Sequence, residues 1–168
     1  MASGDGLTMF AIEMRECNGV DVICKCLQKF QTQLDVQTRA CELMLELSKD
    51  SWCCEELGER GAVEILVTSI RNARKACRVG GVLTPRDGSQ SEYSQRTTSM
   101  QAMAQPALDC LDQLAARDEN VRRMKAAGLK YVLQELRHYA PALPSLGSKN
   151  LMIPYKLRTI NWVAVPSQ

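Results

Sequence analysis

The chain has 168 residues, enough for one hydrophobic core and too short for two ordinary domains. Its net charge of +2 at pH 7 sets up no bulk field that calls for nucleic acid, and no apolar run reaches the ~18 residues of a membrane span. The N-terminus, MASGDGLTMF, has neither the basic start nor the apolar core of a secretory signal. The expectation is therefore a cytoplasmic protein, with the nucleus or a cytoskeletal assembly as the other compartments. Aromatic content of 5% suits helices packed through Leu, Val, Ala, Met and Cys.

In chain order, Leu7, Phe10, Ala11 and Met14 stand at helical spacing and predict a short helix ending near Glu16. A second helix runs from Gly19 to Gln31, with Val22, Ile23, Cys26, Leu27 and Phe30 as its apolar positions. A third covers Leu34 to Ser48. Its apolar residues, Val36, Ala40, Leu43, Met44 and Leu47, have the i, i+4, i+7, i+8, i+11 spacing of one buried face. A short helix follows over Ser51 to Glu59, opened by Asp50-Ser51 as N-cap and closed by Gly61. From Gly61 to Ala76 the residues Val63, Leu66, Val67 and Ile70 share a face. Glycine, proline and serine then dominate a stretch expected as a mobile insert over about 78–97. A helix from Thr98 to Ala116 carries Ala107, Cys110, Leu111 and Leu114. Asp118 is the expected N-cap of the segment reaching Tyr139, where Val132, Leu133 and Leu136 face inward. Pro141, Pro144 and Gly147 end it. The expected organisation is a helical domain over 1–139 and an irregular tail over 140–168, acting as a cap or as a partner-binding segment.

These phrases repeat. Gly19-Val20-Asp21-Val22-Ile23 matches Gly61-Ala62-Val63-Glu64-Ile65, and Gly128-Leu129-Lys130-Tyr131-Val132 matches both. Gly19 and Gly61 are 42 residues apart (61 − 19 = 42), a period in the range of helical repeat proteins. Gly61 and Gly128 are 67 apart (128 − 61 = 67), one period lengthened by the insert. The chain resembles the armadillo repeat family through Val36-Gln37, Ala40, Leu43, Leu47 and Gly61 to Leu66. In the next copy the likeness lies in Met100-Gln101, Ala107, Leu111, Leu114, Asp118 to Arg122 and Ala127-Gly128-Leu129. The resemblance implies an all-α, right-handed α-solenoid of two to three repeats.

It also implies a place to look for function. In armadillo proteins the third helix of each repeat lines a concave surface that takes an extended peptide, and in the nuclear-import relatives Trp and Asn there clamp its backbone. Those places hold Glu42 and Glu46 in one copy and Asp109 and Gln113 in the next, so the clamp is absent and its replacement is acidic. The expectation is a non-catalytic protein-binding or scaffolding module, part of a larger assembly, that takes an extended and possibly basic peptide or a partner helix. An alternative is an adaptor for an acidic partner, an anionic membrane surface or RNA. It would use Arg71, Arg74, Lys75 and Arg78, which recur along one helix face. Nucleic acid is disfavoured because no aromatic residues interleave with these cations.

Enzymatic constellations are thin. The single histidine, His138, ends a helix, and no cysteine sits in a local nucleophile signature, so a Cys-dependent enzyme is the weakest alternative. Cys24 and Cys26, or Cys53 and Cys54, lack the spacing that sets two thiolates on one metal. No catalytic residue, cofactor or metal is expected, and the eight cysteines are expected to be reduced.

Overall fold

The computed structural model describes the backbone of residues 4–79, 90–139 and 153–162, with side chains within 9–76, 98–136 and 153–162. These residues are helical throughout and contain no strand. The helices are α1 (Gly4–Glu16), α2 (Gly19–Lys29), α3 (Leu34–Leu47), α4 (Ser51–Glu59), α5 (Ala62–Val79), α6 (Gln90–Leu114), α7 (Asp118–Ala126), α8 (Leu129–Tyr139) and α9 (Tyr155–Thr159). None of them is long and apolar enough to cross a membrane.

The corners α1–α2, α4–α5 and α7–α8 are built alike. Each turns on a residue in the left-handed region: Asn18 (φ 53°), Gly61 (φ 76°) and Gly128 (φ 74°). At all three the N–H of that residue donates three positions back, to the carbonyls of Arg15, Gly58 and Lys125. The residue before it, Cys17, Arg60 or Ala127, donates four back. Copy one is therefore aligned on Asn18, not on Gly19. Asparagine tolerates the left-handed conformation better than other residues with a side chain. Gly19 serves a different need. It lies in the first turn of α2, where a Cβ would stand 2.4 Å from Met14 Cε, so it permits the close approach of α1.

A second kind of corner also recurs. After α3, Ser48, Lys49 and Asp50 donate to Met44, Glu46 and Leu47; after α6, Ala115, Ala116 and Arg117 donate to Leu111, Gln113 and Leu114. Every one of these equivalences has the offset of 67 that relates Gly61 to Gly128 (115 − 48 = 67), and α4 and α7 are both 9 residues long. So the hydrogen bonding after α3 matches that after α6 position for position, and the α1–α2 corner matches the α4–α5 and α7–α8 corners. The caps of α4 and α7 differ. The Asp50 side chain accepts from the Cys53 N–H, as expected. At α7 the N-cap is Arg117, and Asp118 falls inside the first turn beside Glu119, where both carboxylates favour the positive end of the helix dipole.

Helix α6 reaches back to Gln90 rather than starting at Thr98, and α5 runs on to Val79, so both helices enter the stretch expected as an insert. Residues 80–89 of that stretch lie outside the described residues. Pro106 stands inside α6 and denies the Ala102 carbonyl its usual donor, at an exposed position where solvent can take it.

The core lies where α3 and α6 pack along each other and α5 closes over α6. Met44, Leu47, Leu57, Leu66, Leu108 and Leu111 are fully buried there. Gln37 is buried too. Its Nε2 donates to the carbonyls of Leu27 (2.8 Å) and Phe30 (3.1 Å), satisfying acceptors that the end of α2 leaves open. The tail is not irregular throughout: Leu157 of α9 and the preceding Ile153 enter the core, and Asp112 Oδ1 of α6 accepts the Leu157 N–H at 3.1 Å. In this way α9 covers α6 where α8 is followed by no third helix among the described residues.

Between α4 and α7 the approach depends on Gly58. A Cβ there would meet Asn120 Oδ1 at 2.7 Å, and buried Asn120 is tied to the Leu114 carbonyl at 3.0 Å. Gly58→Ala normally gains about 1 kcal/mol of helix propensity. Here a net loss of about 1–2 kcal/mol is expected from the displaced asparagine. Thermal melts of the variant check this, and an unchanged or raised midpoint would show that Asn120 relocates freely.

Candidate functional site

The four positions read from the sequence stand on two helices, at a separation of 67 residues. Glu42 corresponds to Asp109 and Glu46 to Gln113 on the neighbouring helices α3 and α6. Glu42 pairs with Arg39 at 2.9 Å and Glu46 with Lys49 at 2.6 Å, each within its own stretch of chain. Asp109 accepts from Gln105 Nε2 at 2.9 Å, and burial pushes its carboxyl above the ordinary range, an effect the Gln105 amide opposes. Gln113 is exposed. The glutamate side chains retain 45% and 57% of their exposure, so their local pairs are worth well under ~1 kcal/mol and yield readily to a competing cation. One turn from Asp109 stands Asp112, which holds the backbone of α9. Asp112 escaped the sequence reading because only the positions of the Trp–Asn clamp were followed.

The basic cluster is largely used inside the molecule. Arg71 Nη2 donates to the Ala127 carbonyl at 3.0 Å, and Arg74 is buried and pairs with Glu135 of α8. Lys75 is exposed, and the side chain of Arg78 lies outside the described residues. The row is therefore not one solvated cationic face. Its spacing is real, but Arg71 fastens α5 to the α7–α8 corner and Arg74 fastens it to α8.

The thiols show the chemistry of buried apolar groups. Burial pushes Cys24 and Cys53 up to about 11 and Cys41 up to about 12, and raises Cys110 further. A thiol held protonated in this way is a poor nucleophile at neutral pH. The seven described cysteines form no disulfide, and among the described residues no group of His, Cys, Asp or Glu is gathered to hold a metal ion. The His138 side chain lies outside the described residues.

A feature that sequence reading missed is an apolar groove of about 480 Å³ between α2 and α3. Val22, Ile23 and Cys26 form one wall, and Val36, Ala40 and Leu43 the other, with Asp35 and Arg39 on the rim. Val36 and Leu43 were expected on the buried face of α3. They are only half-buried, because nothing among the described residues packs on this side of the helix. The buried face is Gln37, Ala40, Cys41, Met44 and Leu47. Periodicity marks a residue as apolar but does not show whether a neighbour is there to cover it.

Compared with known proteins, the chain matches no family model, no curated protein and no solved structure.

Proposed function

We propose that the chain is a non-catalytic protein-interaction module of the armadillo type, a scaffolding piece of a larger cytoplasmic assembly. In this reading the face shared by α3 and α6 takes an extended basic segment or a partner helix, with Glu42, Glu46, Asp109 and Gln113 as its polar contacts. The observation that carries it is the placement of Glu42 and Glu46 on α3 beside the neighbouring helix α6, which bears Asp109 and Gln113, with both glutamates held only by exposed pairs within their own stretch of chain.

The test uses a fluorescent, extended Lys/Arg-rich peptide titrated with the full chain at low salt. Binding is expected to weaken as salt rises through screening. The double variant Glu42→Lys/Glu46→Lys should weaken it at least tenfold without lowering the melting temperature, since exposed helix acids contribute only tenths of a kcal/mol. Binding that survives the charge reversal, or that is missing at low salt, would refute this reading. The basic-face alternative predicts the reverse pattern. Because Arg71 and Arg74 hold α5 against the following corner, their reversal is expected to lower stability instead.

A further inference from the structure

The groove between α2 and α3 has an internal precedent. With Asn18 equivalent to Gly61, its wall residues Val22, Ile23 and Cys26 correspond to Ile65, Leu66 and Ser69 of α5. By the offset of 67, Val36, Ala40 and Leu43 correspond to Met103, Ala107 and Cys110 of α6. All six counterparts are buried. The contrast is sharp at one pair: Val22 is 59% exposed, whereas Ile65 is 7% exposed. The α6 wall of the later groove is covered by α3, which packs along α6 and places Cys41 and Ser48 beside Cys110, while Ile65 and Ser69 of the other wall lie beside Leu27 of α2.

We infer that the α2–α3 groove docks one amphipathic helix of a partner protein, seated along α3 as α3 is seated along α6. Its stripe is apolar at i, i+3 or i+4 and i+7, with a small residue over Ala40. Asp35 and Arg39, one turn apart on the rim, ask for a cation and an anion in the same order along it. A second copy stacked head to tail fits less well. That arrangement would offer the outer side of α6, where Leu157 of α9 and the preceding Ile153 are already buried. The inference stands apart from the peptide-binding reading of the α3–α6 face, because the groove walls do not include the four residues assigned there.

The helix that covers the equivalent surface supplies the probe. A hydrocarbon-stapled peptide of residues 34–49 is titrated under reducing conditions into the full chain labelled for NMR. The expected result is shifts of the Val22, Cys26, Val36 and Leu43 amides, with affinity at least tenfold weaker in Val22→Glu. Val22 is exposed, so that variant folds; Val36→Glu serves as a second, and melting temperatures verify both. Glu46→Lys alone, which leaves the Arg39–Glu42 pair in place, should leave this binding intact, which separates it from the α3–α6 face. Shifts confined to other helices, or affinity unchanged in both groove variants, would overturn the inference. So would a dimer in light scattering that Val22→Glu dissolves, since the occupant would then be a second copy.

Discussion

Truncating Leu66 to alanine is expected to cost about 2–5 kcal/mol, whereas the same truncation at Leu43 should cost about 1 kcal/mol. Leu66 is fully buried in α5 and its removal leaves a cavity with apolar walls on every side. Leu43 has the same side chain and a position in the same repeated pattern, but it lines an open groove and already meets solvent. Urea denaturation of the two variants measures the difference directly. Equal losses would mean that the groove is closed in solution, and a silent Leu66→Ala would mean that the corner alignment is wrong.

Alkali is expected to destabilise the fold from about pH 9 upward. The Cys41 thiol, with an ordinary value of 9.0, is pushed up to about 12 because burial in the α3–α6 seam disfavours the thiolate. Cys24 is pushed up to about 11 for the same leading reason. The unfolded chain therefore releases these protons first. The stability they contribute is fully present below pH 9 and is lost as pH rises toward the folded values. For a thiol protected this fully, the loss by pH 10.5 is about 2 kcal/mol. Denaturation midpoints at pH 7.5 and 10.5 provide the measurement. Cys41→Ala should flatten the decline, while lysine and tyrosine titration stays in both proteins as a common background. An equal slope in the variant would show that Cys41 ionises freely in the folded state.

Local signals carried most of the helices. The capping aspartate at Asp50, the closing glycine at Gly61 and the apolar spacing of α5 all act within a turn or two of chain, and the structure places them as expected. Signals that depend on distant chain were illegible. Nothing in the spacing of Arg71 and Arg74 announces a carbonyl at Ala127 or a carboxylate at Glu135. Gly19 misled by one residue because glycine serves equally for a left-handed corner and for a close helix contact, and only φ tells the two apart. The start of α6 escaped because Gln90 to Thr97 is polar and shows no apolar period. The acidic positions of α3 and α6 were visible as a pair through repetition. The α2–α3 groove was not, since its existence depends on a helix that does not lie there.

Three arginines give the corners a further consequence. Arg71 reaches the Ala127 carbonyl and Arg123 the Gly58 carbonyl, so each ties its helix to the backbone of another corner, and Arg60 reaches the side-chain oxygen of Asn18. Chains of similar units tend to melt piecemeal when the coupling between neighbours is weak compared with the stability of each unit. Here two of the three contacts run through backbone carbonyls that stand as acceptors in this geometry only while the neighbouring corner is folded. Loss of one corner releases the arginine that held the next, so an all-or-none transition is the expected outcome.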